Sequence, residues 1–176
     1  MSSLRTPTGV FFVRSAEQIP CPCCSGHLKV IGSRQRSCID SLGDKIILII
    51  RRLRCVACRR IHHELPDMLV PYKRHIRDSI EAAVGGDPAL SVTADESTLW
   101  RWRRWFRALA AYFLGCLTAL AARYAIASAE GRSTLPRSAL HGIWQLVGDA
   151  PGWLARVVRP VANANLWVQT RSAFLS

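Results

Sequence analysis

The sequence predicts an α+β protein, with a small β unit near the N-terminus followed by a mainly α-helical region. Three observations carry that expectation. Two Cys-x-x-Cys pairs, Cys21/Cys24 and Cys55/Cys58, enclose strand-like segments that end in the β-branched run Lys45-Ile-Ile-Leu-Ile-Ile50. Apolar residues then recur at helical spacing at Leu99, Trp102, Phe106, Leu109 and Phe113. The chain of 176 residues is 49% hydrophobic, enough to bury a core and unlike a disordered tail.

Residues 1–20 read as a loose leader. Val10-Phe11-Phe12-Val13 is a short apolar run followed at once by Arg14, which does not fit a secretory signal, and Pro20 ends a short turn at Ser15–Ile19. Residues 21–66 read as one compact unit. His27–Ile31 alternates like a strand, Gly32 to Gly43 reads as a polar loop, and the second strand delivers the chain into Cys55. Ile61–Leu65 makes a short third strand.

A Cys-x-x-Cys turn aims two sulfurs at one point, and two such turns make a tetrahedral thiolate cage suited to Zn²⁺. The expectation is therefore a zinc ribbon with structural Zn²⁺ held by Cys21, Cys24, Cys55 and Cys58. So small a unit buries little apolar surface, so metal binding would supply much of its folding free energy. Cys23 is one residue out of step, and Cys38 has no partner at knuckle spacing. Strand alternation puts His62 and His63 on opposite faces, and both read as surface residues. Whether Cys23, Cys38, His62 or His63 replaces one of the four stays open at this point. Cys116, alone in an apolar segment, reads as a buried hydrophobe.

Residues 67–110 read as a helix-turn-helix-like unit. Pro71 would open a helix over Tyr72–Val84, with Tyr72, Ile76, Ile80 and Val84 on one face and Lys73, Arg74 and Arg77 on the other; Gly85-Gly86 would stop it. Asp95 or Ser97 would cap the next helix. There Ser97 and Thr98 would meet phosphates, while Arg101, Arg103 and Arg104 lie off the apolar stripe where they could reach DNA. The connector from Val84 to Asp95 is longer than a tight helix-turn-helix allows.

Residues 111–176 read as a helical C-terminal region forming a core or an oligomer interface. Residues 108–128 are the most apolar part, but Arg107 and Arg123 leave between them only an uncharged run short of the ~20 residues a membrane span needs, so a buried helix or an oligomer interface is expected instead. After a linker at 129–139, Gly152–Val158 reads as a helix that Pro160 interrupts, and Asn163–Phe174 as a last short helix.

Net charge is +12, from 24 Lys plus Arg against 12 Asp plus Glu. Such a balance calls for an anionic partner, and the prevalence of Arg favours double-stranded DNA. The alternative partner is a protein, or a second copy of the chain, docked through the C-terminal helices. Seven cysteines without a secretory signal suit a reducing cytoplasm. Beyond the Arg-rich helix only Glu130 and Asp149 are acidic, so a carboxylate cluster for metal-dependent DNA cleavage is not expected, and the protein does not read as an enzyme.

Cys21-Pro22-x-Cys24, then Ile50-Arg-Arg-Leu-Arg-Cys55-x-x-Cys58-x-x-His62-x-Glu64-Leu-Pro66, then Leu69-Val-Pro-Tyr-Lys-Arg74, resembles an uncharacterised bacterial domain-of-unknown-function family. That family is similar to the N-terminal zinc ribbon and helix-turn-helix of insertion-sequence transposases. Ser97-Thr98 with Arg101-Trp102-Arg103-Arg104-Trp105 resembles the recognition helix of such proteins, and Trp167–Ser176 resembles the family's ending. The resemblance implies that the four cysteines are metal ligands. It also implies DNA binding and mobile-element ancestry.

Overall fold

A computed structural model describes residues 9–15, 17–86, 92–124 and 137–168. Four strands precede four helices: β1 (Gly9–Phe12), β2 (Leu28–Ile39), β3 (Lys45–Cys55), β4 (Ile61–His63), α1 (Arg77–Gly85), α2 (Glu96–Arg123), α3 (Ala139–Val147) and α4 (Trp153–Asn163). The class is α+β.

The β-branched run of β3 lies at the centre of the sheet. β2 pairs with it antiparallel along its whole length, from Leu28↔Cys55 to Ile39↔Lys45. The other side of β3 is shared: β1 pairs in parallel with Ile46–Ile49, and β4 pairs antiparallel with Arg52–Arg54. The expected polar loop after Ile31 is therefore mostly strand. One irregularity remains between Val30 and Gly32, where Gly32 takes φ 149°, a backbone angle that side chains disfavour. The expectation of a loose leader fails at Gly9–Phe12, because an apolar run beside an unpaired β3 edge satisfies its backbone groups by joining the sheet.

Ile46, Leu48 and Ile50 alternate along β3 and bury one face with Cys38, Leu69 and Ile76. Cys38 is thus a core residue of the sheet. A second core holds the helices together. Trp102, Phe106, Ala110, Phe113, Leu117 and Leu120 form the buried stripe of α2, and they meet α1, α3 and α4. Phe106 packs edge-on against Trp153 with ring centres 5.5 Å apart, and Phe113 stacks on Trp167 at 5.2 Å. Cys116 is buried in this core, as a small hydrophobe would be. By length and composition α2 could cross a membrane; 33% of its apolar window is buried, the part that packs in the helical core.

The helix expected from Tyr72 begins only at Arg77. Tyr72 sits in the left-handed region at φ 64°, which ends any helical run from Pro71. The segment continues the sheet instead: Ile39 N donates to Arg74 O at 2.7 Å and Ile76 N to Ile39 O at 2.9 Å. Lys73 and Arg74 are therefore not on a helix. Asp95 caps α2, its Oδ1 accepting from Thr98 N at 2.6 Å, and the helix runs unbroken through the segment expected to form a separate core helix. Pro160 lies inside α4 without breaking it, and α4 ends at Asn163, so the residues up to Val168 do not form the last helix expected there. The remainder of that expected helix, and the linker at 129–136, lie outside the described residues.

α4 lacks a cap of its own, since Gly152 offers no side chain. The cap comes from α1. Glu81, only 8% exposed, accepts from Gly152 N at 2.6 Å and from Leu154 N at 2.8 Å. A carboxylate placed there answers two otherwise unpaired amides and the positive end of the helix dipole.

Candidate metal centre

The two knuckles have the same backbone construction. In the first, Ser25 N donates to Cys21 O at 2.8 Å and Cys21 N to Gly26 O at 2.9 Å. In the second, Arg59 N donates to Cys55 O at 3.1 Å and Cys55 N to Arg60 O at 2.9 Å. Both place a non-glycine residue in the left-handed region just after the second cysteine, Ser25 at φ 58° and Arg59 at φ 64°. That conformation closes each turn over its pair of sulfurs at a local cost that a bound ion would offset.

β2 and β3 bring the knuckles together, because Leu28 and Cys55 are register partners at the end of the hairpin. Cys21 Sγ lies 3.6 Å from Cys58 Sγ, and Cys24 Sγ lies 3.5 Å from Cys55 Sγ. All four sulfurs lie within 4.8 Å of one another. A regular tetrahedron with metal–sulfur bonds of about 2.3 Å has edges of about 3.8 Å, so the cluster has the size and donor chemistry of a tetrahedral thiolate site. Gly26 leaves room for it. A Cβ there would stand 3.0 Å from Cys55 Sγ and 3.3 Å from Cys24 Sγ. Close approach is what requires glycine at this position.

The thiols are electrostatically uneven. Burial raises Cys55, but amide N–H groups of Cys58 and Ala57 and the neighbouring thiols outweigh it and bring it down to about 6. Burial pushes Cys21 up. Four thiolates this close need a cation to coexist.

His62 is half-buried, and its Nε2 lies 3.4 Å from Cys21 Sγ. The surface placement expected for it is corrected: β4 turns it toward the cluster. Cys21, Cys23 and His62 also lie close enough to form a smaller group that shares Cys21 with the four-sulfur set. Cys23 Sγ accepts from Arg60 Nη1 at 3.4 Å. His63 is half-buried on the other face of β4. The sheet is tied down beside the centre by Glu64, which takes both Arg51 Nε and Nη2 at 2.5 Å and Ser15 N at 2.9 Å.

The eight basic and hydroxyl residues expected to face DNA do not form one surface. Ser97, Thr98, Arg101 and Arg104 share the start of α2. Arg101 folds back on Ser97 O at 3.1 Å and Thr98 Oγ1 at 2.9 Å, and Arg104 lies 5.2 Å from the centre of the exposed Trp100 ring. Arg103 is turned inward and donates to Ala83 O at 3.0 Å, closing the C-terminal end of α1. Lys73 is half-buried with its Nζ 4.1 Å from the Trp105 ring centre. Arg74 is exposed on the sheet side. Arg77 is held by Asp78 at 2.5 Å and by Asp67 O at 3.2 Å. The first turn of α2 already has its anion, since Asp95 accepts from Thr98 N and Ser97 Oγ.

Sequence reasoning misses Glu81 and the strand pairing of β1, for which the apolar run Val10–Val13 is a usable signal. It reads Ser25-Gly26 as turn residues but not the close approach of Gly26 to the sulfurs. Neither curated proteins nor solved structures yield a match to this chain. Residues 21–102, which hold both knuckles, the β2–β3 hairpin, α1 and the first turns of α2, match the family described as Domain of unknown function (DUF6431).

Proposed function

We propose that the protein is a DNA-binding protein braced by structural Zn²⁺ at Cys21, Cys24, Cys55 and Cys58. The supporting observation is the four-sulfur cluster at the end of the β2–β3 hairpin, in a chain whose net charge is +12. Zinc would supply tetrahedral cross-linking and no chemistry. α1 and α2 would act as the helix pair of a helix-turn-helix-like unit, presenting Trp100, Arg101, Arg104 and Arg107, all exposed along one side of α2. The likeness to transposase N-terminal regions and a cytoplasmic location, where thiols stay reduced, belong to the same reading, which assigns no catalytic step.

The test is selection of genomic duplex fragments by the zinc-loaded chain, followed by affinity against salt. Each phosphate neutralised adds about −0.9 to the slope of log K against log salt. Arg101→Gln with Arg104→Gln should weaken duplex binding by roughly 1–3 kcal/mol per base-reading side chain. Duplex affinity that is absent, or indifferent to salt, refutes the reading. A second reading, an adaptor or homo-oligomer joined through the C-terminal half, draws on Tyr112 of α2, 40% exposed, and on Tyr124 just past its end, 65% exposed. Light scattering that gives a dimer, together with loss of it in Tyr112→Glu, supports that reading.

A further inference from the structure

A second basic feature lies away from the start of α2. The face of the sheet carrying Arg34, Arg36 and His63, the Pro71–Arg74 segment and the end of α4 enclose a cleft of about 900 Å³. Its lining includes Arg34, Arg36, Lys45, Lys73 and Arg74, and no Asp or Glu among the described residues. The neighbouring cleft on the other side of β4 is different. Glu17, Glu64 and Asp67 line it, and all three are paired with Arg51 or Arg159. The lining of this cleft is thus basic, with Asp40 and Asp44 on the turn at its rim, and concave walls concentrate its positive field. Burial first, then the charges of Arg34, Arg52 and Arg36, lower the pKa of His63 on this lining.

Arg36 is part of the wall. It donates to Lys73 O at 3.0 Å and so fixes the Pro71–Arg74 segment against the sheet. Arg34 and Arg74 remain exposed. Tyr72 lines the same cleft in the left-handed region at φ 64° and is 48% exposed. A bulky residue pays for that backbone angle only where its surroundings impose it, and such positions cluster at binding sites. Asn165 at φ 57° lines the opposite side.

We propose that this cleft binds an unpaired stretch of nucleic acid, with phosphates on Arg34 and Arg74 and one base stacked on Tyr72. Cation-lined grooves with an exposed aromatic ring are how single strands are held without sequence reading. An exposed ring at the wall of a concave cleft suits an unpaired base and not the edge of a stacked duplex. The proposal rests on the nucleic-acid reading above and gives it a second site, distinct from Arg101 and Arg104.

The experiment uses the full zinc-loaded chain, a fluorescent oligothymidine and a duplex, titrated by anisotropy at several salt concentrations. Arg34→Gln with Arg74→Gln should weaken oligothymidine binding and reduce the salt slope by about 1.4, two phosphates at about 0.7 each. Tyr72→Leu should weaken it roughly 5- to 150-fold with the slope unchanged, and Tyr72→Phe should retain it. Near-wild-type oligothymidine binding by both the arginine pair and Tyr72→Leu, with metal content and circular dichroism intact, overturns the proposal. Loss with Arg101→Gln/Arg104→Gln but not with the cleft variants also overturns it, and leaves the duplex reading standing. Oligothymidine binding that needs the cleft while duplex binding is absent supports the proposal and refutes the duplex reading.

Discussion

Glu81→Ala tests whether the helical core depends on a cap supplied from outside α4. The side chain accepts two backbone N–H bonds at 2.6 and 2.8 Å, at a position 8% exposed. Each bond to a carboxylate contributes about 1.5–3 kcal/mol. The cost of burying that carboxylate is recovered on removing it, leaving a net loss of about 2–4 kcal/mol. Guanidinium unfolding followed by tryptophan fluorescence is the assay. All six tryptophans lie at position 100 or later, so the signal reads the helical region and not the sheet. With a slope near 4 kcal/mol per molar, the midpoint should fall by about 0.5–1 M. Bound zinc should stay at the wild-type ratio, since Glu81 touches no part of the cysteine cluster. A midpoint within about 0.1 M of wild type would refute the capping argument.

Other outcomes follow from the same geometry. Cys24→Ser, Cys55→Ser and Cys58→Ser should each lose zinc by mass spectrometry, while Cys23→Ser keeps it; equal loss in Cys23→Ser would move the ligand set toward Cys21, Cys23 and His62. Gly26→Ala should lower zinc affinity in a chelator competition, because the added methyl presses on two sulfurs of the cluster, those of Cys55 and Cys24. Glu64 is held below its ordinary value of 4.5 chiefly by its hydrogen bonds from Arg51. Its contribution to stability is therefore present above that value and is lost as the pH falls through the lower folded-state value, and Glu64→Gln should flatten the acid limb of stability against pH. Burial lowers the Lys73 amine to about 8 from 10.5. Between those values the unfolded chain binds the extra proton, so stability should rise with pH there, and Lys73→Met should remove that rise.

The cysteine arrangement was legible because matched Cys-x-x-Cys spacings carry geometry with them. The long helix was legible because Trp102, Phe106 and Phe113 repeat at its period. What escaped was set by partners distant in sequence. Tyr72 lies in a pattern that reads as helical, with Ile76 and Ile80 at four-residue spacing, yet Ile39 draws Arg74 and Ile76 into the sheet. Arg103 reads as an outward cation, yet α1 ends within its reach. Lys73 reads as a phosphate contact, yet Trp105 covers it. His62 reads as a surface residue because alternation gives two faces without saying which one meets the sulfurs. In each case local pattern lost to a tertiary neighbour that no short window contains.

The Glu81 cap also bears on where this protein can be divided. The family match stops at residue 102, inside α2, while the amides that Glu81 answers belong to Gly152 and Leu154. A fragment trimmed to the match would keep both knuckles and the hairpin. It would leave Glu81 without the amides it caps, open it to solvent, and cut the aromatic core behind Trp102. The segment matched by the family and the segment packed into one helical core are therefore different lengths of chain.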